Sequence, residues 1–264
     1  MRTLQRELKF LTALWKANLL AAMEYRAAFL AQVFGMLLNN MLYFVYWLLF
    51  FNRFHTVRGW QLDDMLLLFA VVTVGFGLAA FFFGNAFALS EIISEGRLDY
   101  YLSLPRPVLL HVMASGSVAS GVGDFIYGLL SFALAGHFTL DAIGRFIVGA
   151  LFSMLIFLAV MILANCAAFW LGNANLLVSQ VTNAFLTFAL YPLTLFDGAA
   201  KFLLFTILPA AFIGAVPAEF VRSFSWRTLG ELLAATLIFL GLAIWVFYRG
   251  LSRYESGSAI QTQV

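Results

Sequence analysis

The chain has 264 residues, of which 63% are hydrophobic and only 11% are charged, and its formal net charge is +2. An average soluble domain carries roughly 25% charged residues, and one core of this size could not hide the 30 Phe and 6 Trp side chains. The composition therefore excludes a soluble globular protein and predicts that the bilayer is the solvent for most of the surface. The small charge, without a basic run among exposed aromatic residues, also excludes a nucleic-acid-binding protein.

The amino-terminal region is charged and amphipathic instead of apolar, which excludes a cleaved secretory signal. From Phe10 to Tyr25 apolar residues recur near helical spacing. The pattern predicts a helix over residues 5–26 that lies in the membrane interface, with Trp15 at the level of the lipid headgroups. The alternative is that these residues lengthen the first membrane-spanning helix.

Six stretches reach the length of about 20 apolar residues that a helix needs to cross a bilayer. The predicted spans are residues 27–51, 64–89, 108–135, 144–171, 176–196 and 229–248. No fixed-period repeat divides the chain, so residues 1–264 are predicted to form one all-α transmembrane domain. Basic residues precede the first span and follow the last, which predicts that both termini are cytoplasmic.

A polar insert, residues 90–104, separates the second span from the third. Ser90 is expected to cap a short helix in which Glu91 and Glu95 share one face, and Gly96 to end that helix in the left-handed conformation. Two more charged residues and two prolines follow, so the segment is predicted to be rigid. It is either a handle that transmits force from a soluble partner or an ordinary solvated loop.

Asp124 is the one clear acid inside an apolar span, and along a continuous third helix it would lie about 24 Å from the start, in the outer half. Such a group is costly, so it either attracts a cationic substrate, carries a proton, pairs with a neighbouring helix or reaches the outer interface. In the same span Gly116, Ser120 and Gly123 are predicted to share a face that allows close helix packing. Amides inside spans are expected to join helices or line a passage: Asn39, Asn40, Asn85, Asn165 and Asn183.

One further apolar stretch, residues 199–217, lies between the fifth and sixth spans and contains Pro209, Gly214 and Pro217. Proline removes a backbone donor and breaks a helix interior, which favours a re-entrant hairpin on the outer side. A seventh span is the alternative.

The residues that usually carry enzymatic chemistry are missing or scattered. No GxxxxGK[ST] run is present, so the chain lacks the loop that holds the phosphates of ATP. His55, His111 and His137 lie in three different regions, and Cys166 has no partner cysteine. The sequence therefore predicts no catalytic site, no metal and no cofactor in this chain.

Four motifs together resemble the ABC type-2 export permeases. They are the leader "ALWKANLLAAMEYRAAFLAQ", the insert "ISEGRLDYYLSLPRPVLL", and "YPLTLF" followed by "LPAAFIGAVPAE". The resemblance covers essentially the whole chain and is closest to the bacterial branch of small multidrug or viologen-type exporters. Members of that branch keep a glycine, a leucine, an aspartate and a later proline in the insert.

The resemblance implies a membrane subunit that pairs with a second permease, identical or different. Each permease would rest, through its insert and leader, on a cytoplasmic ABC ATPase subunit, which would bind ATP and Mg²⁺. The implied coupling residues are Glu91, Glu95, Gly96, Arg97, Leu98 and Asp99.

The resemblance also implies a substrate passage between the two permeases, built from the first, second and fifth spans. Residues that would line it are Asn39, Tyr43, Phe82 and Asn183. The hairpin with Pro209 and Pro217 would serve as an outer gate.

These observations predict a permease subunit of an ATP-driven exporter in the bacterial inner membrane. Its cargo would be an amphipathic or cationic small molecule, such as a drug, or a lipid-like substrate, moved outward by alternating access. Two alternatives are an ion-coupled secondary transporter that uses Asp124 and a membrane scaffold without transport. The first of these is expected to show internal symmetry, which the sequence does not display.

Overall fold

The structure, a computed structural model, describes residues 2–136 and 138–254; His137 lies outside the described residues. Within these ranges the chain is all-helical, with thirteen α-helices, three 3₁₀ turns and no strand. The helices are α1 (Arg2–Glu24), α2 (Arg26–Phe54), α3 (Leu62–Phe82), α4 (Leu89–Ser94), α5 (Leu98–Leu102), α6 (Val108–Ala114), α7 (Ser120–Leu134), α8 (Leu140–Asn165), α9 (Ala168–Leu171), α10 (Asn175–Ala189), α11 (Gly198–Thr206), α12 (Ala215–Arg222) and α13 (Trp226–Leu251). The predicted all-α class is confirmed.

Several helices are suited to a membrane by length and apolar composition. Among the described residues, α2, α3, α13 and the combined stretch Leu140–Leu171 are each long and apolar enough to cross. A bent pair, Gly198–Thr206 and Ala210–Arg222, adds a fifth if it is counted as one span, and α7 is shorter but apolar. The chain is thus built as a multi-pass membrane protein.

The predicted third span, 108–135, is not one continuous helix. It is divided into α6 and α7 by residues 115–119, whose backbone packs on the end of α3. The Gly84 N–H donates to the Gly116 carbonyl at 2.9 Å, and the Val118 N–H donates to the Ala80 carbonyl at 2.9 Å. These bonds satisfy backbone groups that a helix would otherwise pair internally.

This break corrects two predictions about the third span. Gly116 lies outside α7, so it does not share a helix face with Ser120 and Gly123. Asp124 is in the second turn of α7 and not deep in a long helix, so the count of about 24 Å along a continuous helix was wrong.

Other predicted boundaries also shift. A break at Tyr25 separates α1 from α2, so the leader is a helix of its own and does not lengthen the first span. The second predicted span ends as α-helix at Phe82, seven residues before the predicted Leu89. The fifth stretch is helical only as α10, over Asn175–Ala189.

Helix α3 forms the centre of the bundle and is buried along most of its length, between α7 and α8. Glycines allow the backbones of α3 and α7 to touch. A Cβ on Gly77 would lie 2.5 Å from the Gly121 carbonyl oxygen, and one on Gly128 would lie 2.5 Å from Val74 Cγ2. The close packing predicted for the third span is present in α7: Gly121 and Gly128 meet α3, and the predicted Gly123 meets α2.

The bundle has two polar ends, which we call the insert end and the distal end. The insert end comprises residues 84–119 with the helix ends packed on them. The distal end comprises residues 55–64 with residues 193–225, joined by ion pairs of Arg58 with Asp197 at 2.8 Å and of Arg222 with Asp64 at 2.9 Å.

The contact between α3 and α7 provides a test of packing. Replacing Gly77 by Ala should destabilise the folded protein by about 1–3 kcal/mol, because the new methyl group would overlap α7 backbone atoms. The matched control is Gly35→Ala in α2, where a Cβ meets nothing within 4 Å. Unfolding midpoints in detergent micelles measure both, and an equal loss in the two variants would contradict this packing.

Candidate functional site

The insert folds as two short helices, α4 and α5, joined by a turn at Gly96. Gly96 has φ +74°, and the Arg97 N–H closes the turn on the Ile92 carbonyl at 3.0 Å. The left-handed stop at Gly96 is therefore confirmed. The Arg97 guanidinium lies 2.7 Å from a Glu95 carboxylate oxygen and 3.8 Å from Glu91, with all three side chains about half exposed.

The expected helix cap at Ser90 is wrong. Ala88 occupies the cap position, while Ser90 lies inside the first turn of α4 and is buried. Its hydroxyl instead donates a hydrogen bond to Asn175 Oδ1 at 2.7 Å, at the start of α10. The long-range hydrogen bond to Asn175, 85 positions away, thus replaces the local cap bond that the sequence predicted.

The six predicted coupling residues do not all face outward. Glu91, Glu95, Arg97 and Asp99 are exposed, but Leu98 is fully buried and anchors α5 to the core. Two exposed side chains that the sequence analysis did not assign to the coupling element, Tyr100 and Leu102, continue the same outer surface. We call Glu91, Glu95, Arg97, Asp99, Tyr100 and Leu102 the insert surface.

The leader helix α1 is fastened to the insert end by two hydrogen bonds. Trp15 Nε1 donates to the Phe82 carbonyl at 2.8 Å, and Asn18 Nδ2 donates to the Ala114 carbonyl at 3.0 Å. The indole N–H of Trp15 is thus satisfied by the protein, where the sequence had suggested a headgroup anchor.

A charged clamp, Glu7, Phe10, Arg106 and His111, adds to this attachment. Arg106 Nη1 donates to Glu7 Oε2 at 2.9 Å, and its guanidinium carbon lies 3.8 Å from the centre of the Phe10 ring. The Phe10 ring meets His111 edge-on, with centres 5.0 Å apart. Sequence reasoning missed this clamp, because its two halves are 99 positions apart.

The last helix also ends at the insert. Tyr254, just beyond α13, lies beside Asp99, and burial together with that carboxylate raises the pKa of the Tyr254 hydroxyl to about 12. The insert is therefore in contact with α8, α10 and the end of α13, whereas α1 is attached to the residues that flank the insert.

An open cleft of about 890 Å³ lies between α2, α3 and α10. Three of the four predicted passage residues, Asn39, Tyr43 and Asn183, line it. Phe82 does not, since it lies at the insert end with its ring 4.8 Å from that of Trp15. The aromatic side chains of the cleft are Tyr43, Tyr46, Trp47, Phe69, Phe76 and Tyr191.

Asp124 enters the wall of this cleft from α7. Its Oδ1 accepts a hydrogen bond of 2.7 Å from Asn40 Nδ2 on α2, and both residues are more than nine-tenths buried. Its Oδ2 is also buried and meets no hydrogen-bond partner within the described part of the chain. Among the roles considered for Asp124, pairing with a neighbouring helix is what the structure contains, and the partner is an amide.

The two predicted gate prolines differ in position. Pro209 lies at the bend of 67° between Gly198–Thr206 and Ala210–Arg222. Pro217 does not break the chain, because it occupies the first turn of α12, where a missing N–H costs no hydrogen bond. A second cavity, of about 420 Å³, lies between α12 and the connection from α2 to α3, with Arg58, Lys201 and Arg222 in its wall.

Comparison with known proteins identifies a family. The model of a family described as ABC-2 family transporter protein matches residues 37–258, which is more than half of the chain. No curated protein and no solved structure matches the chain.

The clamp on α1 can be tested by charge exchange. Glu7→Arg should loosen α1, because two cations would then meet in a half-buried position, and hydrogen exchange of the α1 amides should quicken. The exchanged pair Glu7→Arg with Arg106→Glu should restore slow exchange. Equal rates in the single variant and the unaltered protein would show that the ion pair does not hold α1.

Proposed function

Because the chain belongs to the ABC-2 family transporter proteins, we propose that it is the permease subunit of an ATP-driven exporter. Proteins of this family are membrane subunits of ABC transporters, which pair with a separate ABC ATPase and do not hydrolyse ATP themselves. The cargo is an amphipathic or cationic small molecule, or a lipid-like substrate, and it moves outward by alternating access between two permeases. The ATP and Mg²⁺ are bound by the ATPase subunits. The observation that carries the proposal is that one bundle joins a charged insert to an aromatic cleft containing a buried acid.

The proposed topology has six crossings, made by α2, α3, α7, α8, α10 and α13. The direction of α7 follows from Ser131 near its end, whose hydroxyl donates at 2.8 Å to the Leu66 carbonyl near the start of α3. The end of α8 and the start of α10 both bond to Ser90 at the insert end. More of the basic residues lie in segments at the insert end, which supports a cytoplasmic insert and cytoplasmic termini in a bacterial inner membrane.

The segment from Gly198 to Arg222 is proposed to be a re-entrant gate on the outer side, in preference to a seventh span. Asp197, just before it, and Arg222, at its end, are both held by the connection from α2 to α3 and the start of α3. A segment that starts and ends at the same end of the bundle enters and returns. Pro209 at its bend supports this path.

The insert surface is the proposed docking site for the ATPase. Glu91, Glu95 and Arg97 form exposed ion pairs, which contribute little to stability, so their charges are available to a partner. Tyr100 and Leu102 add apolar area beside them, with Tyr100 64% exposed. Both features suit a protein interface with a polar rim.

The cleft is the proposed path of the cargo. Its volume of about 890 Å³ suits a drug-sized molecule. Aromatic walls bind flat apolar groups and attract cations, and a buried carboxylate with one unpaired oxygen favours a positive charge. The cleft is open, and its lining residues Leu42, Tyr43 and Tyr46 on α2 are exposed, which supports its completion by a second permease and by lipid.

Docking can be tested at the insert surface. Exchanging Glu91 and Glu95 for Lys should lower co-purification of the ATPase subunit, because two carboxylates of the interface reverse their charge. Glu231→Lys in α13 is the matched control, since Glu231 is a half-exposed acid that pairs only within its own helix. Equal co-purification in both variants would remove the insert from the docking site.

Asp124→Asn tests the cleft, since an amide can still accept the hydrogen bond from Asn40 while the charge is gone. ATP-dependent efflux of ethidium from proteoliposomes containing the whole complex should fall about tenfold, the equivalent of about 1.4 kcal/mol. Asp141→Asn, at an exposed acid in the first turn of α8, is the control. Ethidium efflux driven by a proton gradient without ATP, and lost in Asp124→Asn, would instead establish the ion-coupled carrier.

A complex that binds nucleotide but moves neither ethidium nor a fluorescent phospholipid would favour the scaffold without transport. Reconstitution with the co-purified ATPase decides between these outcomes.

A further inference from the structure

We infer that α10 is the rod that transmits movement of the insert to the cleft, and that Ser90 and Asn175 form the joint at its end. This inference rests on the proposed function, because the movement that it transmits is that of an ATPase acting on the insert. Helix α10 makes contacts at three points along its length: at the insert, at the cleft and at the distal end.

The first point is the joint itself. Ser90, on α4 of the insert, is buried, and its hydroxyl donates to Asn175 Oδ1 at 2.7 Å. Asn175 is the first residue of α10. The hydrogen bond therefore connects the base of the insert directly to the end of one helix.

A second amide holds the base of the insert against α8. Asn165 is fully buried, its Oδ1 accepts the Ser90 N–H at 2.8 Å, and its Nδ2 donates to the Ala86 carbonyl at 3.1 Å and the Met161 carbonyl at 2.8 Å. Three bonds from one side chain fix the position of Ser90 relative to the end of α8. A buried amide whose partners are all present holds one geometry, since losing any partner leaves a polar group unsatisfied.

The second point is the cleft. Two turns beyond Asn175, the same helix presents Asn183, and after another turn Thr187, to the cavity that contains Asp124. A helix of 15 residues without an internal break moves as one body. A displacement at Asn175 therefore reaches Asn183 without passing through the core.

The third point is the hairpin at the distal end. Gly214 packs so closely on the Ala189 carbonyl, in the last residue of α10, that a Cβ there would collide with it. The rod thus touches the insert, the cleft and the segment proposed as the outer gate.

The test uses labelling of the cleft and needs no knowledge of the natural cargo. Asn183→Cys provides one exposed thiol in this chain, since its single native cysteine, Cys166, is fully buried, and the variant is studied in the full complex with its ATPase. The rate of reaction with a maleimide is measured with and without ATP plus vanadate. We expect a change of roughly fivefold or more, the lower range of typical couplings between sites.

Asn175→Ala should abolish that ATP-dependent change while ATP hydrolysis continues. Asn175→Asp should keep it, because a carboxylate oxygen still accepts the Ser90 hydroxyl. Asn173→Ala is the matched control, since the Asn173 side chain accepts a hydrogen bond from the Asn175 N–H and, among the described residues, makes none to the insert. Ser90→Ala removes the same joint from the other side and serves if Asn175→Ala does not fold.

The possible results distinguish a failure of the proposed function from a failure of this inference. Failure of the unaltered chain to bind an ATPase would overturn the proposed function and this inference with it. A bound, active ATPase with no ATP-dependent change at position 183 would overturn this inference alone, as would a change that survives in Asn175→Ala. Loss of the change in Asn173→Ala as well would show that any loosening of the helix end has the same effect, and would also overturn the joint.

Discussion

The direct contact of backbones between α3 and α7 is the constraint on which the rest of the structure depends. Lipid does not drive helices together by the hydrophobic effect, so close approach and hydrogen bonding must hold them. Gly77 and Gly121 face each other without side chains, and Ser131 bonds across the same interface to the Leu66 carbonyl. With α8 on its other side, α3 is a buried central helix, which we call the post. The insert is attached at the end of this post.

The leader α1 and helix α10 are attached in a different way. Helix α1 is held by the clamp and by the hydrogen bonds of Trp15 and Asn18, and α10 meets its neighbours through contacts near its ends and along one side. Here single polar contacts act as joints, among them the clamp of Arg106 on Glu7 and the bond of Ser90 to Asn175. Helices α1 and α10, which lie beside the insert, are thus attached by single contacts. Helix α3, beneath the insert, is packed along its length.

How much the sequence could predict depended on the range of the interactions involved. Composition and long apolar runs predicted an all-helical membrane protein, and the stop at Gly96 was readable because a left-handed turn is a local property. The break at residues 115–119 was missed: Ser115 and Gly116 are residues typical of turns, but small residues in an apolar stretch also suit close helix packing, and the contacts with α3 that satisfy this backbone are long-range. The range of the interactions also limited what could be predicted of the candidate site. Asn39, Tyr43 and Asn183 were assigned to the passage through the family resemblance, whereas the pairing of Asp124 with Asn40 joins residues 84 positions apart.

Because α7 is packed along α3 and α10 is attached at points, the two walls of the cleft differ in how freely they can move. Asp124 belongs to α7, which is packed on the post, whereas Asn183 and Tyr191 belong to α10 and the short segment after it. A ligand can shift a protein between two states only if it binds them with different affinity. A cleft with one fixed acidic wall and one movable wall meets that condition, because any displacement of α10 changes the distance between Asp124 and the groups opposite it. In the proposed transporter, the buried acid would then be the fixed reference against which the insert, through α10, alters the affinity for the cargo.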